Sequence, residues 1–341
     1  MALSGRQVAA KTLQMTLTVG ALAWLLGQLD IRAALQQFSQ LEPDLVAWVL
    51  GLTVVEFGTR FGSWYVLVNG YRPTALGDIA RTDLVIKFIN HVVPSKVSGH
   101  SIAPVVLRHF TGIGWPAAVG IAGANTGLYA LLYGLASTLA VVMLAPALSA
   151  ELLLVLAGAT ALYVVVAILV LATGHGITVV PAVLDRLRQL VCRLPVVGPR
   201  IADRLDQDSS FTADSQAVFR SLTTRPSVVG PYAVCWLSTI ALLPGLRVLA
   251  LFAGIGVDVA APWTVFFALV LAYSVTILPL TPGGVGITEL SASLVFIGLG
   301  IPEAAAVTVV LLDRSLGVYL PALLGWLPAT RTDITAFDTG E

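Results

Sequence analysis

The chain has 341 residues, of which 57% are apolar and only 11% charged, and its mean hydropathy is +0.89. A soluble domain carries about 25% charged residues, so this chain cannot cover its surface with polar groups and takes the lipid bilayer as its solvent. The formal net charge of +0 excludes the basic field that a nucleic-acid partner requires. Cys192 lies in a polar segment and Cys235 in an apolar one, so no disulfide and no metal spacing is expected. His91, His100, His109 and His175 fall on no metal motif, and no cofactor is expected.

Taken in chain order, six apolar stretches are long enough to cross about 30 Å of hydrocarbon: roughly 8–29, 43–69, 115–146, 150–173, 227–253 and 302–327. The first follows Arg6 and Lys11 and is not followed by a small-residue cleavage site, so it reads as a span rather than a signal peptide. Residues 31–42 read as a short amphipathic surface helix. Residues 174–226 are a polar insert with seven arginines against five aspartates, expected to form one or two amphipathic helices with a turn at Pro195–Pro199. Lys and Arg in short flanks favour the cytoplasm. Arg6 and Lys11 therefore predict a cytoplasmic N-terminus, and the insert falls on the same side. A multi-pass protein of the cell membrane is expected. Trp48, Trp64, Trp115, Trp236, Trp263 and Trp326 are expected near span ends, in aromatic belts.

Two segments make poor spans. Residues 75–112 carry Asp78, Arg81, Asp83, Lys87, Asn90 and His91 before a break at Pro94 to Gly99. Residues 262–300 are apolar but interrupted at Pro279, Pro282, Gly283, Gly284 and Gly286. Proline removes a backbone donor and glycine lowers helical bias, so each break splits a helix in two. Each segment is read as a re-entrant hairpin of two half-helices, with eight plain spans as the alternative. The segments align without a gap at an offset of 188 residues: Pro94 with Pro282, Gly112-Ile113 with Gly300-Ile301, and Asn125 with Asp313. Repeat one covers about 75–146 and repeat two about 262–327. Three crossings lie between equivalent points, so the second copy is inverted, an architecture shared by many transporters. The fold class is thus an all-α integral membrane protein with about six full spans, two re-entrant hairpins and two inverted repeats.

A charge at the membrane centre costs at least ~2.5–3.5 kcal/mol, so each such residue needs a reason. Glu56 and Arg60 are four apart on one helical face and read as a structural pair. Asp313 and Arg314 are adjacent, about 100° apart on their helix, and are expected to take different partners. Arg314 suits an anionic headgroup, because guanidinium grips phosphate bidentately. Glu289 lies at the start of a half-helix, where an acid complements the dipole. Its other reading, shared with Asp313, is a coupling site for a proton or cation, or a site for a positive headgroup. Lys96, His100 and Arg108 are expected around the first break as a positive site for phosphate, with interfacial snorkelling as the plainer reading.

Asn90-x3-Pro94-Ser95-Lys96-x2-Gly99, followed by Leu107-Arg108 and Gly112-Ile113, resembles the first signature of the lysylphosphatidylglycerol synthase transmembrane-domain family, a flippase-like family. Leu278-Pro279-x2-Pro282-Gly283-Gly284-Val285-Gly286-x2-Glu289, then Gly300-Ile301 and Asp313-Arg314, resembles its second. One departure is His100, where the family commonly has Glu. The resemblance implies the lipid-translocating half of such proteins, since 341 residues leave no room for the soluble synthase or glycosyltransferase domains found fused to it. It implies a transporter of an anionic phospholipid or polyprenyl-phosphate-linked lipid, with membrane lipids and a soluble lipid- or sugar-modifying enzyme as partners. Two alternatives stand beside it. One is a membrane-embedded transferase subunit using His100 with Glu289. The other is a non-transporting scaffold that recruits enzymes through 174–226.

Overall fold

The computed structural model describes residues 41–92, 96–176, 209–278 and 281–331. The first expected span at 8–29, most of the expected surface helix at 31–42, the turn at Pro195–Pro199, Pro94 and Pro279 lie outside the described residues. For Lys96, Gly99, His100 and Pro282 the backbone alone is described.

Among the described residues all regular structure is helical: α1 Pro43–Asn69, α2 Leu76–Val92, α3 Lys96–Thr111, α4 Trp115–Leu144, α5 Ala150–Gly174, α6 Ser209–Thr223, α7 Pro226–Leu237, α8 Leu243–Gly254, α9 Trp263–Tyr273, α10 Ile287–Gly298, α11 Glu303–Arg314, α12 Leu320–Leu324 and α13 Trp326–Arg331. Five stretches are long and apolar enough to cross a bilayer: Pro43–Asn69, Trp115–Ala147, Ala150–Gly174, Pro226–Gly254 and Glu303–Thr330. They coincide with five of the six expected spans. Three of them begin at proline or with proline at the second position, where the missing N–H costs nothing. Their outer faces are apolar and exposed, for example Val54, Leu154, Ile168 and Val234, as lipid-facing surface requires.

Two of these spans contain a π turn. Ser238–Leu242 joins α7 to α8, and Ser315–Tyr319 joins α11 to α12. Each precedes a proline, Pro244 or Pro321, which cannot donate to the carbonyl four residues back. Widening the turn is the local response.

The poor spans fold back on themselves. Helices α2 and α3 pack side by side, as do α9 and α10. Ser291 of α10 donates to the Ala272 carbonyl of α9 at 3.1 Å, holding the second pair together. The 188-residue offset recurs in the backbone. It relates the starts of α4 and α11, at Trp115 and Glu303. It also relates the turn glycines before them, Gly112 at φ 65° and Gly300 at φ 86°, a conformation that a Cβ disfavours.

Packing then crosses between the two halves. Helix α4 lies on α9, while α12 and α13 lie on α2. Gly325 permits the second contact, since a Cβ there would stand 2.0 Å from the Leu84 carbonyl oxygen. The first contact is made through Tyr133 of α4, which sits in an aromatic cluster with α5 and α7. Tyr133 stacks on Tyr163 at 4.3 Å, and Trp236 meets Tyr133 and Tyr129 edge-on. The Tyr133 hydroxyl donates to the Val270 carbonyl at 3.0 Å. Trp236 and Trp64 are therefore buried core residues, not the belt anchors expected from their positions. A window of apolar sequence does not reveal which face a ring occupies. From the polar insert, α6 is described and is amphipathic. It packs on α4 with Phe219 and Leu222 buried.

Candidate functional site

Where the two hairpins meet, the interior is charged. Glu56, Arg60, Asp83, Arg247, Glu289, Asp313 and Arg314 are all buried within it. Burying an unpaired charge costs several kcal/mol, so each must be met by an opposite charge or a donor. The partners come from five helices.

Arg247, on α8, is fully buried. Its Nε donates to Asp313 Oδ1 at 2.8 Å and its Nη2 lies 2.6 Å from the same oxygen. Its Nη1 donates to Glu56 Oε2 and, at 3.3 Å, to the Thr53 hydroxyl. The second oxygen of Asp313 accepts from the Tyr273 hydroxyl at 3.0 Å. One guanidinium thus serves two carboxylates. Gly317 makes room for this group, because a Cβ there would stand 2.6 Å from Arg247 Nη2 and 3.2 Å from Glu56 Oε1.

Arg60 does not pair with Glu56, its expected partner. Its Nε donates to Asp83 Oδ2 at 2.9 Å, and its Nη1 to the Gly317 carbonyl at 3.3 Å. The i,i+4 spacing permits a Glu56–Arg60 pair, but packing brings Arg247 and Asp83 to the same face and each residue takes the interhelical partner.

Glu289 sits in the first turn of α10. Its Oε2 accepts the Gly286 backbone N–H at 2.7 Å, closing the cap. Its Oε1 accepts from Arg314 Nε at 2.8 Å and from the Tyr319 hydroxyl. Asp313 and Arg314 thus take different partners, as their angular separation requires. The second break is built by Gly283, Gly284 and Gly286, with φ of 60°, 75° and 84°. The first of these touches the other hairpin: a Cβ on Gly283 would meet His91 Cδ2 at 2.4 Å. The His91 ring also stands edge-on to Tyr319, centroids 6.4 Å apart. The ends of α2 and the second break are therefore in contact.

Arg108 is elsewhere. It lies in the last turn of α3, twelve residues from Lys96, or ~18 Å along a helix. Its guanidinium covers the Trp115 ring at 4.9 Å. It does not belong to the first break, contrary to the expectation from sequence. The side chains of Lys96 and His100 are outside the described residues. Arg247, by contrast, was not singled out in sequence. Its signal was available as the one arginine within the apolar stretch 227–253, where a charge is costly enough to demand a partner. Among the described residues no group of His, Cys, Asp or Glu is arranged to hold a metal ion.

These features define a polytopic helical membrane protein whose broken helices enclose an ion-paired centre. The chain belongs to the family described as the lysylphosphatidylglycerol synthase TM region, whose model matches residues 11–325. It is also similar to the UPF0104 membrane protein PH1989 of Pyrococcus horikoshii. The two are 42% identical over 52 residues, 15% of this chain and 16% of that protein. No solved structure matches the chain.

Proposed function

We propose that the protein moves an anionic lipid, a phospholipid or a polyprenyl-phosphate-linked lipid, between the leaflets of the cell membrane. The observation that carries this reading is the buried Glu289–Arg314 pair beside the glycine break, where the hairpin ends touch. Ion pairs at that depth are costly, and in membrane proteins such groups mark substrate pathways. Non-helical backbone at that depth suits a cavity that opens. The lipid enters laterally between the repeats, its phosphate is drawn to Arg314 together with Lys96 and His100, and the glycines serve as hinges. The 188-residue recurrence supports repeats of opposite orientation, with the N-terminus and the 174–226 insert in the cytoplasm. Family membership supports a lipid-related membrane role. The transferase reading draws no support from Glu289, whose two oxygens are already engaged by Gly286, Arg314 and Tyr319.

The test is reconstitution of the purified protein into liposomes carrying labelled lipids, with transfer between leaflets followed in time. Protein-dependent transfer of an anionic or isoprenoid lipid is expected. Absence of transfer for every such lipid overturns the reading, and formation of a modified lipid by the pure protein favours the transferase.

A further inference from the structure

Lys87 stands apart from the other charges at the centre. It is half-buried on α2, among the buried Val85, Ile86 and Phe88. The carboxylate one turn back, Asp83, is spent on Arg60. Among the described residues no carboxylate lies within ion-pair distance of the Lys87 ammonium. Asp83, Lys87 and His91 follow one another at helical spacing on one face of α2. Asp83 holds Arg60, and His91 stands against Tyr319, whose ring the Arg314 guanidinium covers at 5.6 Å, so Lys87 sits on the face that joins the two arginines.

The two arginines there are incompletely used. Arg60 and Arg314 are both more than nine-tenths buried. Each gives its Nε to a carboxylate, and each leaves its Nη2 buried without a hydrogen-bond partner. A buried donor left unpaired is expensive. Three cations here face two committed carboxylates, Asp83 and Glu289. The opposite surplus sits at Glu56, Arg247 and Asp313, where one cation faces two carboxylates.

We propose that Arg60, Lys87 and Arg314 form a binding site for a phosphate group. Two guanidinium N–H arms and one ammonium supply directed donors, with three cations set against two carboxylates at the site itself, the combination that a tetrahedral oxyanion satisfies. The site deepens the translocation reading and rests on it only in taking the phosphate to be carried by a lipid.

The experiment uses the full chain in nanodiscs of neutral lipid. Thermal unfolding is followed against inorganic phosphate and against short-chain phosphatidic acid, with chloride at matched ionic strength as reference. The wild type is expected to be stabilised by at least one phosphoryl probe. Stabilisation by phosphatidic acid alone assigns the site to a lipid, and equal stabilisation by both shows that the phosphate suffices. Lys87→Met is expected to weaken phosphoryl binding about tenfold or more, as loss of a charge-assisted contact does. In the absence of phosphate it is expected to leave the midpoint unchanged or to raise it, because the lysine has no partner to lose. Lys87→Arg is expected to retain binding. A lowered midpoint in Lys87→Met shows a structural ion partner and overturns the proposal. So does a wild type that neither probe stabilises, or a Lys87→Met variant that binds as the wild type does. Phosphate binding without lipid transfer in liposomes leaves the site standing and rejects translocation alone.

Discussion

Arg60 on the first described span donates to the carbonyl of Gly317 on the last, at 3.3 Å. That carbonyl lies four residues before Pro321, so the helix itself supplies no i+4 donor for it. A proline in one span has thus created an acceptor for an arginine 257 residues away in sequence. The same arginine reaches Asp83, so α1, the first hairpin and the last span are tied through one side chain.

This relationship is measurable by a double-mutant cycle. Pro321→Ala restores a helical donor to Gly317 and makes the Arg60 bond redundant. Arg60→Met is expected to destabilise the Pro321→Ala background less than the wild type. The coupling should be ~0.5–1.5 kcal/mol, the worth of one hydrogen bond. Midpoints of thermal unfolding in detergent give the comparison, and strict additivity rejects it.

Arg247 is expected to be the most sensitive single position for stability. Arg247→Met leaves Glu56 and Asp313 buried without their cation, a loss of ~3–5 kcal/mol for a broken buried pair. Adding Glu56→Gln and Asp313→Asn removes both charges and is expected to recover most of that loss. Unfolding midpoints of the single and triple variants decide it. A triple variant no more stable than Arg247→Met shows that the charges are not the cause.

Glycine positions on these helices should divide by what a methyl would meet. Gly317→Ala and Gly325→Ala place a Cβ 2.6 Å from Arg247 Nη2 and 2.0 Å from the Leu84 oxygen, so both should destabilise, by ~1–3 kcal/mol as overpacking does. Gly158→Ala, with nothing within 4 Å, should be neutral or stabilising by up to ~1 kcal/mol. Thermal unfolding of the three variants provides the check.

Tyr133 offers a graded test of the contact between α4 and α9. Tyr133→Phe keeps the ring stack on Tyr163 and loses the bond to Val270, and should cost ~0.5–1.5 kcal/mol. Tyr133→Ala also empties a buried aromatic site and should cost ~3–5 kcal/mol. Equal costs in the two variants show that the hydroxyl bond alone matters.

Glu289→Gln is expected to slow lipid transfer in liposomes at least tenfold, since it removes the charge that holds Arg314 while a side-chain acceptor for Gly286 remains. Tyr319→Phe deletes one donor to the same carboxylate and should have a smaller effect. Unchanged transfer in Glu289→Gln rejects a role for this pair in translocation.

The sequence by itself determined where the helices lie. Pro43–Asn69, Trp115–Ala147, Ala150–Gly174, Pro226–Gly254 and Glu303–Thr330 follow from runs of apolar side chains, because the demand of hydrocarbon on each residue is local. The breaks were legible for the same reason: proline lacks a donor and Gly283, Gly284 and Gly286 adopt positive φ in their own backbone. The matching turns at the 188-residue offset were legible because Gly112 and Gly300 both take positive φ just before a helix. Only the tertiary structure decided which charges meet. Arg247 is 191 residues from Glu56 and 66 from Asp313, and nothing local to Arg247 names either one. Glu56 and Arg60 had the right spacing for each other and took other partners. In a buried site the pairing follows the packing of helices, which decides between the partner that spacing along one helix permits and the partners that other helices bring.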